Sequence, residues 1–170
     1  PDYAPAWLVK GTLEQQSRNL DAAQASLTRF ISLQSETKAA GAPSAEVTQS
    51  LTQAYLRMAE IAEQKKDLSG AQAWLARIDN AEEMVSVQSR RAAILARQGN
   101  LDEARAMIRA LPEQDPSDAR LKTSAEVQIL RDNKHYQLAY DVLTEALAKD
   151  PKDLDFLYDK AMMAEKVGRL

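Results

Sequence analysis

The chain has 170 residues, of which 28% are charged, and its net charge of -3 excludes a strong attraction to nucleic acid or to an anionic membrane. It contains no cysteine, which excludes disulfides and thiolate metal sites. No apolar run approaches the roughly 20 residues that a membrane-spanning helix needs.

The hydrophobic periodicity predicts helices along the whole chain. The expected ranges are 4–17, 21–40, 44–66, 69–79, 81–98, 102–111, 117–132, 137–149 and 153–168. Gly41, Ala42 and Pro43 interrupt the pattern between the second and third ranges, and Ser44 is the expected N-cap of the third helix.

One turn pattern recurs along the chain, and its clearest copy covers residues 99–104. Gly99 favours the left-handed conformation that ends a helix, and Asp102 is the expected N-cap of the next one. Ala104 then shares a helix face with Ile108 and Leu111. The equivalent alanines of the other copies are Ala23, Ala71 and Ala139.

Spacings of 48, 33, 35 and 34 residues separate the turn hydrophobes, which are Leu20, Leu68, Leu101, Tyr136 and Leu170. A period near 34 residues is typical of helix pairs stacked in an array. The first spacing exceeds 34 by 14 residues (48 − 34), and the surplus lies around residues 34–51. We expect two lengthened helices that form a projecting hairpin, with a disordered insert as the alternative.

This pattern resembles the tetratricopeptide repeat (TPR) family over essentially the whole chain. The family's first-helix aromatic falls on Trp7 and Tyr55, and its repeat-closing proline on Pro116 and Pro151. The small residue of the first helices falls on Gly11, Ala59, Ala92 and Ala161. A position that is usually leucine in the family holds Lys10, Arg91, Glu126 and Lys160 instead.

The resemblance implies an all-α, right-handed α-solenoid of antiparallel helix pairs, with about nine helices in a single array that was cut from a longer bacterial protein. The expected repeats are residues 4–40, 44–79, 81–115 and 117–150, with a half repeat at 153–170. The last helix carries Leu157, Ala161 and Ala164 on an apolar face that further sequence, another copy or disorder must account for.

The resemblance also implies a non-enzymatic protein–protein interaction scaffold that binds a peptide or helix of a partner in a concave groove lined by first helices. The predicted groove residues are Arg57, Glu60, Arg90, Arg97, Gln128 and Arg131. The arginines among these residues can bind carboxylates through two parallel hydrogen bonds. A solvated face without a binding role fits the pattern equally well. The alternatives are an RNA-binding helical repeat and a structural segment of a larger enzyme or assembly factor.

Catalytic and metal-binding patterns are not expected in this chain. Its one histidine, His135, lies in a predicted turn, and no second histidine could complete a metal site or a nucleophile relay. We therefore predict no enzyme activity, no cofactor, no nucleic-acid partner and no membrane insertion. Trp74 and the pair Met162 and Met163 are expected to pack in the core, and the absence of cysteine favours a bacterial cell envelope or periplasm over the cytoplasm.

Overall fold

The computed structural model describes residues 3–39, 44–78, 84–113 and 116–169, which form nine helices and no strand. The helices are α1 (Ala4–Gln16), α2 (Leu20–Ala39), α3 (Ala45–Gln64), α4 (Leu68–Leu75), α5 (Met84–Arg97), α6 (Leu101–Arg109), α7 (Pro116–Asp132), α8 (Tyr136–Lys149) and α9 (Leu154–Lys166). The expected all-α, TPR-like fold is confirmed. The predicted interruption at 41–43 and the fifth turn hydrophobe at 170 lie outside the described residues.

The chain divides into two compact units, Pro1–Met84 (unit 1) and Val85–Leu170 (unit 2). In unit 1, α1 packs on α2 and α3 packs on α4, while α2 and α1 also contact α3. In unit 2, α7 packs on α6 and α8, and α8 packs on α9. Within each unit, helices that contact each other are thus mostly neighbours in the chain, as expected for helix pairs.

The recurrent alanine of each second helix is completely buried. Ala23, Ala71, Ala104 and Ala139 are each 0% exposed. Ala104 packs in one cluster with Ile108 and Leu111, which are also buried. The predicted helix phase is therefore confirmed, because the alanine and its two larger neighbours face the same core.

The small residue of the first helices marks a close approach in three of its four copies. A Cβ atom at Gly11 would lie 2.8 Å from Cγ of Leu27, so α1 and α2 pack too closely there for a side chain. Ala59 and Ala92 are fully buried. The expectation is wrong for Ala161, which is exposed because no described helix covers that face of α9.

Every first helix ends in the same hydrogen-bonded turn. After α5, the N–H groups of Gln98, Gly99 and Asn100 donate to Ile94, Ala96 and Leu95, and the other four turns repeat this arrangement. Gly99 has φ +94°, which confirms its predicted left-handed conformation, and Gly168 has φ +71°. Lysine or arginine takes the same conformation in the remaining turns, at Arg18, Lys66 and Lys134.

The predicted N-cap of α6 is wrong by two residues. The helix begins at Leu101, and Asn100 occupies the cap position without a side-chain capping bond. Asp102 lies in the first turn, where its negative charge still interacts favourably with the helix dipole. The turn hydrophobe is thus the first helical residue, and the same holds for α2, α4 and α8.

The surplus residues near the first break are helical on both sides. Helices α2 and α3 each have 20 residues, and α3 begins after Ser44, whose hydroxyl accepts a hydrogen bond of 3.3 Å from Val47 N. The predicted N-cap is confirmed, and the helical flanks agree with the projecting hairpin, whose tip lies outside the described residues.

Candidate functional site

In unit 1, a polar network joins two neighbouring first helices, α1 and α3. The side chain of Gln15 accepts a hydrogen bond from Arg57 Nη1 (3.1 Å) and donates one to Glu60 Oε2 (3.0 Å). All three side chains are half-buried. Arg57 and Glu60 are three residues apart in α3 and share one helix face. The structure thus brings both predicted groove residues of unit 1 together, with Gln15 between them.

In unit 2, the predicted groove residues of α7 form a second network. Arg131 donates to Gln128, and the amide nitrogen of Gln128 donates to both carboxylate oxygens of Asp132, at 2.9 and 2.8 Å. Arg131 Nη1 also lies 3.9 Å from Asp159 Oδ1 in α9. This surface therefore carries both signs of charge, because two carboxylates accompany the one guanidinium.

The remaining predicted residues, Arg90 and Arg97, lie on α5. They are seven residues apart, so they share a face two turns apart along the helix. Arg90 is half-buried and Arg97 is exposed. Because Arg57 belongs to unit 1 and these residues belong to unit 2, a common wall of all four arginines remains a prediction.

A buried ion pair that the sequence analysis missed lies between α6 and α7. Glu126 is only 5% exposed, and it accepts hydrogen bonds from Arg105 Nε (2.9 Å) and Arg109 Nε (3.0 Å). The hydrogen bond to Glu126 raises the pKa of Arg109. The sequence did contain a signal for this ion pair. Glu126 is a carboxylate at a usually apolar position, and the preceding helix carries two arginines four residues apart.

Beside this ion pair, unit 2 contains a cleft of about 410 Å³ among α6, α7, α8 and α9. Charged residues Arg109, Arg120 and Lys149 line it together with the apolar residues Val142, Ala146 and Phe156. Arg120 Nε donates to Asp153 Oδ2 at 2.8 Å, and its guanidinium carbon lies 5.5 Å from the ring centre of Phe156. The cleft thus combines oriented cations with an apolar floor.

Four other sequence expectations concern single residues. Trp74 is half-buried and packs against the core of unit 1, with its ring centre 6.1 Å from that of Tyr55. Met163 is buried in the core of unit 2. His135 is an exposed residue at the cap position of α8 and makes no side-chain capping bond. The core predictions for Trp74 and Met163 are therefore confirmed. The prediction for Met162 is wrong, because its side chain is 38% exposed on a face of α9 that no described helix covers.

The described residues contain neither a metal-binding cluster nor a helix that could span a membrane. Among residues 3–39, 44–78, 84–113 and 116–169, no group of three or more histidine, aspartate and glutamate side chains is arranged to hold a metal ion. None of the helices in these ranges combines the length and hydrophobicity needed to cross a bilayer.

The chain is similar to a curated protein of Pseudomonas aeruginosa, the TPR repeat-containing protein PA4667. The two sequences are 27% identical over 113 residues, which cover 66% of this chain and 19% of the relative. No family model matches the chain. The similarity and the helix-pair architecture together support a TPR-like repeat protein, a class of protein-interaction scaffolds. The matched region spans about a fifth of the relative's length.

Proposed function

We propose that the chain is a non-enzymatic interaction module that binds an extended peptide or a helix of a partner protein on its first-helix surfaces. The observation that carries this proposal is the network of Gln15, Arg57 and Glu60 across α1 and α3. This network fixes the donor Arg57 and the acceptor Glu60 in place, while both side chains remain half-exposed. A preformed surface of this kind lowers the ordering cost of binding.

The arginines supply the recognition chemistry in this proposal. Arg57 donates one of the five N–H groups of its guanidinium to Gln15. Its remaining donors can hold a partner's carboxylate in a bidentate geometry. Arg90 and Arg97 present a second pair of cations on one face of α5. The partner in this proposal therefore carries acidic residues. An exposed ion pair contributes only about 0–1 kcal/mol, so several pairs must act together.

Two alternatives remain. RNA binding is disfavoured by the net charge of -3 and by the two carboxylates that accompany Arg131. A role as a structural segment of a larger enzyme or assembly factor is favoured by one observation, the exposed apolar residues on α9. Leu154, Leu157 and Tyr158 are 78%, 43% and 67% exposed.

The test is a peptide selection against the immobilised chain from a random library, followed by affinity measurements with three variants. We expect Arg57→Glu, and the double change Arg90→Glu with Arg97→Glu, each to weaken the selected acidic peptides by about tenfold or more. The matched control is Lys152→Glu, an exposed charge reversal between α8 and α9. Added salt should weaken binding as well. Equal affinities for all variants, without a salt effect, would contradict the proposal, and tight RNA retention in a filter assay would favour the alternative.

A further inference from the structure

We propose that the cleft of unit 2 is a second binding site, specific for a carboxylate that a partner polypeptide presents beside an aliphatic side chain. The cleft lies among α6, α7, α8 and α9 and uses none of the predicted groove residues. The inference therefore goes beyond the first-helix surfaces and does not rest on them.

The cations of the cleft are oriented by carboxylates that lie beneath them. Glu126 holds Arg109, and Asp153 holds Arg120. The side chains of the two arginines are 55% and 49% exposed, whereas those of Glu126 and Asp153 are 6% and 9% exposed. The cleft therefore presents guanidinium groups to the solvent above the withdrawn carboxylates of Glu126 and Asp153, while Asp155, the second partner of Arg120, is 80% exposed.

Both arginines keep donors that no described residue uses. Arg109 binds Glu126 through Nε and Nη2, and Arg120 binds Asp153 and Asp155 through the same two atoms. The Nη1 group remains available in each case, and Lys149 adds an exposed ammonium at the end of α8. The cleft can thus offer three charged donors to a bound carboxylate.

Two rim carboxylates limit the charge of the ligand. Glu145 and Asp150 line the same cleft and are both exposed. They would repel a polyanion such as a nucleic-acid backbone or a clustered phosphate group. With Asp155, which binds Arg120, the accessible charges are three cations and three anions, so a bound carboxylate depends on the oriented donors and not on a net positive charge.

The floor of the cleft gives the second half of the specificity. Val142 and Phe156 are buried and Ala146 is half-buried, so they form an apolar surface below the cations. A volume of about 410 Å³ falls in the range of small-ligand pockets and accommodates one aliphatic side chain with its neighbouring carboxylate. An acidic residue adjacent to leucine, or a C-terminal leucine, would meet both requirements.

The first experiment uses three small probes and the whole chain. N-acetyl-leucine carries both groups, N-acetyl-leucinamide lacks the carboxylate, and acetate lacks the side chain. We expect N-acetyl-leucine to give saturable shifts of the backbone amide resonances of Ala146 and Lys149, with about tenfold weaker binding of the other two probes. Equal binding of the amide, or shifts spread evenly over all helices, would overturn the proposal.

The second experiment uses variants and two peptides. Lys149→Glu should weaken N-acetyl-leucine about fivefold, and Lys152→Glu, the same change outside the cleft, should change binding less than about twofold. Equal losses would mean non-specific attraction and overturn the proposal. A blocked peptide with an internal Leu-Glu-Leu and an acetylated peptide with a free C-terminal leucine then distinguish the source of the carboxylate. If neither peptide binds more tightly than N-acetyl-leucine, the proposal that the ligand is a polypeptide is wrong.

Discussion

The carboxylate of Glu126 accepts a 2.9 Å hydrogen bond from Arg105 Nε at a first-helix position where the TPR pattern usually has leucine. The arginine side chain is 19% exposed and that of Glu126 is 6% exposed, so the pair is largely withdrawn from water. Desolvating two charges is costly, and the hydrogen bonds from Arg105 and Arg109 offset that cost. Removing one partner therefore leaves an uncompensated charge between α6 and α7.

Glu126→Gln should lower the free energy of unfolding by about 1–3 kcal/mol, less than for a fully buried pair because Arg109 is more exposed. Glu145→Gln, an exposed carboxylate on α8, is the matched control and should change it by less than about 0.5 kcal/mol. Urea unfolding followed by circular dichroism measures both. An unchanged midpoint for Glu126→Gln would mean that the ion pair contributes nothing.

Ala104→Leu should overpack the crossing of α5 and α6, because Ala104 is completely buried and packs against core residues of both helices. We expect a loss of about 1–3 kcal/mol. Ala106→Leu is the same change on the exposed face of α6 and should have little effect. Thermal unfolding compares the two, and equal melting temperatures would show that the assigned helix phase is wrong.

The equivalent turn positions Gly99 and Lys134 should respond with opposite signs. Lys134 has φ +63°, a conformation that costs a residue with a Cβ atom roughly 1–2 kcal/mol, so Lys134→Gly should stabilise the chain. Gly99 has φ +94° and no atom within 4 Å of a built Cβ, so Gly99→Ala should destabilise it through backbone strain alone. Unfolding midpoints that move in the same direction for both would contradict this.

Asp153 should make stability depend on pH. The hydrogen bond from Arg120, followed by that from Phe156 N, lowers the pKa of Asp153. Its contribution is therefore complete above the ordinary pKa of aspartate, about 4, and is lost as the pH falls through the lowered value. Asp153→Asn keeps an N-cap but removes the charge, so the variant should be less stable at pH 7 and approach the unmodified chain in acid. If the difference in unfolding free energy between Asp153→Asn and the unmodified chain is the same at every pH, the ion pair is not its cause.

The apolar face of α9 should promote self-association of the isolated chain. Leu157 and Ala161 are exposed, whereas Ala164, which was predicted to share this face, is largely covered. Light scattering should show a mass that rises with concentration, and Leu157→Glu should suppress the rise. A chain that stays monomeric, with strong amide protection from Leu157 to Val167, would contradict this prediction.

The sequence predicted the features that depend on local pattern. The helix phase at Ala104, the left-handed Gly99 and the cap at Ser44 follow from periodicity and from backbone preferences. Lys134 could not be predicted in a left-handed conformation, because the hydrogen bonds of the turn override its intrinsic preference. The pairing of Glu126 with Arg105 depends on how two helices pack, which a single helix pattern does not specify.

The candidate site was predictable only in its parts. The spacing of Arg57 and Glu60 on one helix face follows from the sequence, but the role of Gln15 depends on the contact of α1 with α3. The mixed charge around Arg131 likewise arises from Asp159, a residue of another helix. Charges that neighbouring helices contribute cannot be assigned before the packing is known.

The most direct test of the proposed function is a hydrogen–deuterium exchange footprint of the chain with and without a selected acidic peptide. We predict added protection on the first helices, around residues 57–60, 90–97 and 128–131, and no change around the exposed face of α6 near Ala106. Protection confined to the second helices α6 and α8, with the first helices unchanged, would contradict binding on the first-helix surfaces.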